Sequence, residues 1–224
     1  MKKDLVEKGA ILQRDRETYG IAPHIPGGIT DTATLRKICD VADKYSLQLK
    51  LTSAQRIALF GVKEEDIDKV WAEVNEKPGA AIGLCVRSIK ICPGTTHCKR
   101  GIQDSVSLGL KIDALYHALP LPNKVKMGVS GCMLSCAEVS VKDIGIMGTP
   151  KGWKIFVGGN AGARPRLADL LVETPAEEDA VLAVVDRIIS WYRNCGREVR
   201  IGTLVEEMGI EQFRATVLEQ PEAE

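Results

Sequence analysis

Long apolar runs are missing from this chain of 224 residues. No stretch approaches the roughly 20 residues that a bilayer-spanning helix needs. The N-terminal MKKDLVEKGAILQRDRETYG is broken by charge before it forms a signal-peptide core. A cytoplasmic protein without a membrane partner is the expectation. Net charge is missing too, with 30 basic side chains against 30 acidic ones, which removes the electrostatic reason to expect a nucleic-acid partner. Aromatic residues make up only 4%, too few for base-stacking surfaces. No internal repeat or low-complexity tract is present. At 45% hydrophobic and 27% charged the composition is globular, and the length suits one large domain or two small ones.

Residues 17–28, ETYGIAPHIPGG, read as a strand running into a Pro-Gly-Gly turn. Thr30 or Asp31 can cap the helix that follows, in which Leu35, Ile38, Val41 and Tyr45 recur at helical spacing. LQLKLT alternates like a strand, SAQRIALFGV reads as a short helix, and KEEDIDKVWAEV as a longer amphipathic one. That order predicts a small α+β lobe over 8–76. NEKPG (75–79) breaks the pattern, and a second domain is expected over 79–218. Its elements are AAIGLCVRSIKICPG, a helix at about 100–118, a strand NKVKMGVSG, and a hairpin of KDIGIMG and GWKIFVGG. A Gly- and Arg-rich loop, GGNAGARPR, and helices from about 176 to 218 complete it, with EQPEAE expected to fray.

What stands out is cysteine. Seven thiols in a reducing cytoplasm read as metal ligands plus bystanders rather than as disulfides. Four fall in two loops: ICPGTTHCKRG carries Cys92-x5-Cys98, and SGCMLSCAEVS carries Cys132-x3-Cys136. Each pair is expected where a tight loop meets a strand end or helix start, and outward N–H groups there stabilise thiolate and sulfide charge. Pro93, Gly94 and Gly131 let the backbone bend closely around a bulky inorganic group. Four thiolates suit zinc or an iron–sulfur cluster. Structural zinc favours C-x2-4-C knuckles, whereas Cys-x5-Cys is too open for a knuckle and leaves room for a cubane. Zinc and unrelated buried thiols stay open as alternatives. Cys39 and Cys195 lie in helical segments as bystanders, and Cys85 is expected to pack on the approach to Cys92.

The combination of Cys92-x5-Cys98 with Gly131-Cys132-x3-Cys136 resembles the signature of the siroheme- and 4Fe-4S-containing nitrite and sulfite reductases. IPGG followed by a helix and LTSAQRIALFGV resembles that family's ferredoxin-like half-domain. KVKMGVSGC, CAEVSVKDIGIMG and GWKIFVGGNAG resemble its haem-binding domain. The likeness runs from about residue 10 to 200. Larger members carry two tandem modules or append flavin and nicotinamide domains. No GxGxxG unit or flavodoxin-like lobe appears here, so the likeness is to the stand-alone, low-molecular-weight sulfite reductases, with the siroheme domain of NAD(P)H nitrite reductases next.

The resemblance implies an α+β fold, a ferredoxin-like half-domain followed by a siroheme- and cluster-binding α+β domain. It assigns Cys92, Cys98 and Cys132 to the 4Fe-4S cluster and Cys136 as the thiolate that bridges the cluster to the siroheme iron as its axial ligand. The reaction implied is six-electron reduction of sulfite to sulfide, or of nitrite to ammonia, fed by a separate ferredoxin-like or flavodoxin-like donor. Lys124 and Lys126, expected on one face of a strand, match the family's K-x-K lysines and are assigned to oxyanion binding and proton delivery. Among Arg87, Lys90, Lys99, Arg100, Arg164 and Arg166, some are expected to pair with siroheme carboxylates, with Asn160 as a further donor.

Two positions depart from the family. Many sulfite reductases carry Arg before the x-P-G-G turn and Arg in a T-x-R-Q stretch, where this chain has His24 and Ala54. His24 can hold charge near neutral pH, and Arg56 can take over anion binding. Lys126 also precedes Cys132 by up to roughly 20 Å of strand, which leads to the expectation of a homodimer with shared sites. A non-catalytic electron-transfer or siroheme protein, and a zinc-stabilised binding module, are the other classes left open.

Overall fold

Strand pairing sorts the chain into two sheets. The computed structural model describes residues 2–219, and the chain divides between Gly83 and Leu84 into two units. Past Glu219, the segment expected to fray lies outside the described residues. No helix among the described residues is long and apolar enough to cross a membrane.

The first unit holds β1 (Ile11–Leu12), β2 (Tyr19–Ile21), α1 (Thr32–Lys44), β3 (Gln48–Leu51), β4 (Ile57–Val62) and α2 (Ile67–Val74). The sheet order is β1-β2-β4-β3, antiparallel throughout. Asp31 caps α1, its carboxylate accepting the Thr34 amide at 2.7 Å. Ile38, Val41 and Ala42 of α1 and Ile67, Val70 and Val74 of α2 pack on Tyr19, Ile21, Leu59 and Val62. The helix expected in SAQRIALFGV is a strand instead. β4 is paired on both sides, so it buries Ala58, Leu59 and Val62, and a short apolar run of that kind carries no period that separates strand from helix.

The second unit holds β5 (Val86–Ile91), α3 (Gly94–His97), α4 (Ser105–Tyr116), β6 (Val125–Ser130), β7 (Ile144–Thr149), β8 (Gly152–Val157), β9 (Asp169–Thr174), α5 (Glu178–Asn194), α6 (Ile201–Met208) and α7 (Ile210–Leu218). Its sheet runs β5-β6-β7-β8-β9, with β5, β6 and β7 parallel and the last two strands antiparallel. The hairpin of β7 and β8 matches the sequence reading, and β9 is an addition to it. One face, carrying Val86, Ile89, Val125, Met127, Val129, Ile144, Ile146 and Ile155, forms the core with α4 to α7. Strand alternation puts Lys90, Lys126, Gly128, Ser130 and Gly145 on the other face.

Parallel neighbours cannot be joined by a tight turn and need a crossover of a dozen or more residues. From β5 to β6 the crossover contains α4 and lies on the core face. From β6 to β7 it is residues 131–143, almost without helix, and it lies on the polar face. Two glycines make room for it. A Cβ at Gly128 would sit 2.8 Å from the Ala137 carbonyl oxygen, and one at Gly145 would sit 2.2 Å from that of Val139. The two crossovers step the same way across the sheet on opposite faces, so they have opposite hands, although about 98% of such connections are right-handed.

Ile112 is fully buried in the core of the second unit. Ile112→Ala is expected to cost about 2–5 kcal/mol, read as a shift in the chaotrope unfolding midpoint. A cost near zero would contradict the core described.

Candidate cofactor and oxyanion site

The cysteine loops are locked together by backbone. Both the Ile102 and Gln103 amides donate to the Gly131 carbonyl at 2.9 Å. The Gly131 amide donates to Cys92 Sγ at 3.2 Å, and Ser105 Oγ lies 3.2 Å from the same sulfur while donating to the Cys92 carbonyl at 3.0 Å. A Cβ at Gly131 would sit 2.5 Å from the Gln103 oxygen, so only glycine allows this approach. Cys92 and Cys132 are buried, Cys98 half-buried and Cys136 exposed. Among the described residues no three His, Cys, Asp or Glu side chains gather around a point where one metal ion could sit. Four thiols on two loops held together by backbone are a donor set that fits an iron–sulfur cluster, and by their chemistry alone a four-thiolate zinc ion as well.

Beyond Cys132 the crossover turns back along the sheet. Ser135 and Glu138, on either side of Cys136, both adopt left-handed backbone, with φ of 54° and 57°. The Ala137 amide donates to Ser130 Oγ at 2.9 Å, and Ala137 and Val139 pack on Met147. Glu138 is held by Lys90 of β5 at 2.8 Å and by Lys142 at 2.9 Å. Hydrogen bonds from these two ammonium groups hold its carboxyl down at about 2.

The crossover ends at Asp143, which is fully buried. Its Oδ2 accepts the Lys126 amide at 2.8 Å and Arg200 Nη2 at 2.6 Å, and its Oδ1 accepts Arg200 Nε at 3.0 Å. Burial pushes this carboxyl up from its ordinary value, and the Arg200 guanidinium pulls against that shift. Lys126 is exposed, the second residue of β6, and Lys124 is half-buried just before the strand. Partial desolvation, then repulsion from Arg200, Arg87, Lys124 and Lys142, holds the Lys126 ammonium below the ordinary lysine value. The return of the crossover thus ties the segment after Cys136 to Lys126 within one unit.

The other sequence candidates scatter. Lys99 and Arg100 are exposed beside Cys98, and Arg87 is half-buried in β5. Lys90 is engaged by Glu138. Arg166 donates to the carbonyls of Gly158 and Leu167 and pairs with Asp169 at 2.5 Å and Glu206 at 3.3 Å, so its donors are taken up by the loop, the start of β9 and α6. Arg164 is exposed and lies 3.5 Å from Glu206. Asn160 accepts the Gly162 amide and Arg200 Nη1, and donates to the Arg164 carbonyl. A cavity of about 210 Å³ opens beside this loop at the start of α6, where Arg164, Arg166, Arg200 and Thr203 line it.

In the first unit, the His24 amide donates to the Lys77 carbonyl at 2.7 Å. Arg56 is buried, with its side chain against Gly79, and lines a cavity of about 310 Å³ with Gly28, Thr30 and Gln55. Glu138, Lys142, Asp143 and Arg200 escaped the sequence reading. The first three stand inside CAEVSVKDIGIMG, where their pairing was not legible, and Arg200 carries no motif.

Comparison with known proteins follows the same outline. A family model described as the nitrite and sulphite reductase 4Fe-4S domain matches residues 82–224, and one described as the nitrite/sulfite reductase ferredoxin-like half domain matches 11–77. The chain is 41% identical to the assimilatory-type sulfite reductase of Nitratidesulfovibrio vulgaris, over 94% of this chain and 97% of that protein. It is 40% identical to the NAD(P)H nitrite reductase of Bacillus subtilis, over 95% of this chain but only 26% of that protein. Among solved structures, dissimilatory sulfite reductase I superposes with a TM-score of 0.80 at 17% identity, over 92% of this chain and 70% of that one, and so shares the fold.

Two outcomes follow from the site geometry. Gly131→Ala is expected to part the cysteine loops and lower the iron and sulfide content of the purified protein; full iron content would contradict the close approach. For Glu138, the folded carboxyl lies below its ordinary 4.5 at about 2, so the stability it adds is complete above pH 4.5 and fades as pH falls through about 2. The side chain is 53% exposed, which keeps that contribution small. Thermal melts of wild type and Glu138→Gln should therefore differ at pH 7 and converge toward pH 2; a gap that persists at the acid end would contradict the pairing.

Proposed function

The chain belongs to the nitrite and sulphite reductase family, and from that premise we propose that it reduces sulfite to sulfide by six electrons at a 4Fe-4S cluster coupled to siroheme. Cys92, Cys98, Cys132 and Cys136 would hold the cluster, with Cys136 as the axial ligand to the haem iron. Bound there, the pair would supply low-potential electrons to the sulfur atom and a metal to hold it. The observation that carries the reading is the run of the crossover from the Cys132–Cys136 loop back to Lys126. A path that starts with two of the four proposed ligands and ends beside a lysine on the same face of the sheet supports that reading.

The protein's own residues have three tasks. Lys126 and Lys124 attract the oxyanion and neutralise charge as it is reduced. The Lys126 ammonium, held below its ordinary value by its neighbours, gives up a proton more readily than a free lysine does. Arg87, Lys90, Lys99, Arg100, Arg164, Arg166 and Asn160 are the groups from which those that meet siroheme carboxylates are proposed to come, and Lys90, Arg164 and Arg166 would exchange their acid partners to do so. His24 and Arg56 are proposed as further anion-binding residues. Electrons would come from a separate ferredoxin-like or flavodoxin-like protein. A homodimer with shared sites is proposed as the assembly. Nitrite is the second reading, because a nitrite reductase is nearly as similar along the same span.

With reduced methyl viologen as donor, the loaded protein is expected to form sulfide from sulfite. Lys126→Gln should lower kcat/KM for sulfite by about a hundredfold with the visible spectrum unchanged. Wild-type turnover in that variant would remove Lys126 from the site. Faster turnover of nitrite than of sulfite by the wild type would make nitrite the substrate.

A further inference from the structure

One group of buried charge carries no sequence motif. Arg200, the residue before α6, reaches three points of the polar face with one guanidinium. Its Nε and Nη2 grip the two oxygens of Asp143, at 3.0 and 2.6 Å, and its Nη1 donates to Asn160 Oδ1 at 2.6 Å. Asp143 in turn fixes Lys126 from both sides of its peptide. The Lys126 amide donates to Asp143 Oδ2 at 2.8 Å, and the Lys126 carbonyl accepts the Asp143 amide at 3.0 Å. The Gly158 amide donates to the Asp143 carbonyl at 2.9 Å, which brings in the end of β8. Asn160 closes the Gly-rich loop through the Arg164 carbonyl and the Gly162 amide.

We propose that Arg200 is a positioning residue, a planar fork that sets the aim of Lys126 and the shape of the 158–166 loop together. The proposal rests on the reading of Lys126 as an oxyanion-binding side chain. The fork matters because a lysine carries a point charge and cannot grip both carboxylate oxygens and an amide oxygen in one plane. It matters also because a fully buried carboxylate with its partner removed is left without compensation, so Asp143 would turn toward water or take up a proton and change the way it holds the Lys126 amide. Arg200 has a second effect through space. The charged groups around the Lys126 ammonium are Arg87 on β5, Lys124 before β6, Lys142 and Asp143 before β7, and Arg200 before α6. The four cations keep the ammonium a better acid, and Arg200 heads them.

The test compares wild type, Arg200→Lys, Arg200→Gln and Asn160→Ala as cofactor-loaded proteins. Two readouts are taken: sulfite kinetics, and the pH dependence of Lys126 acetylation measured by peptide mass spectrometry. Arg200→Lys keeps the charge and loses the fork, and should lower kcat/KM for sulfite by ten- to a hundredfold with little change in the acetylation profile. Arg200→Gln should shift the Lys126 profile to higher pH, because a repelling cation is gone. Asn160→Ala keeps the grip on Asp143, so its Lys126 profile should match wild type, and it stands in if the Arg200 variants fail to fold: a shifted profile in it would overturn the division of roles. Wild-type kinetics in Arg200→Lys, or an unmoved profile in a folded Arg200→Gln, would overturn the proposal. If the wild type reduces no anion, the reductase reading fails and the positioning role falls with it, while a profile shift in Arg200→Gln still reads the through-space effect of Arg200 by itself.

Discussion

A short return path is the constraint on which the site depends. β6 and β7 run parallel and adjacent, so whatever joins them has to travel the length of the sheet. The core face is filled by α4 to α7, and the connection crosses the polar face. Two cysteines stand at its start, and Asp143 stands at its end beside Lys126. Topology alone therefore turns a linear separation along one strand into a shared surface. Gly128 and Gly145 set how close the path lies, because any side chain there would collide with its carbonyls.

Charge follows from the same path. A chain with no net charge gathers Arg87, Lys90, Lys126, Lys142 and Arg200 on or beside one face of one sheet. Glu138 holds two of them and Asp143 holds a third, each by close ion pairs. Asp143 gives its oxygens to the amide of Lys126 and to Arg200, not to the lysine's ammonium. Partial desolvation and then the surrounding cations hold that ammonium below the ordinary lysine value.

Much of this was legible in the residues. The two cysteine pairs, the Asp31 cap, the α1 stripe and the hairpin of β7 and β8 each depend on local spacing or turn chemistry, and each is where the sequence placed it. β4 was misread as a helix because a central strand buried on both edges looks like any apolar run. β9 was overlooked between a polar loop and a helix. The pairing of Glu138 with Lys90 joins residues 48 positions apart, and that of Arg200 with Asp143 joins residues 57 apart. Neither has a local signal, because only the folded sheet brings these charges together. The place of Arg166 in a Gly-rich loop suggests a cofactor cation, and its donation to the carbonyls of Gly158 and Leu167 and its pairing with Asp169 have no signal in the sequence.

The most direct test is the visible spectrum of the anaerobically purified protein, recorded before and after sulfite is added. A siroheme-like Soret band with a long-wavelength partner, both shifting with sulfite, is the expected result. A brown iron–sulfur spectrum without those bands, or a colourless protein containing zinc, would contradict a coupled haem and cluster on these four cysteines.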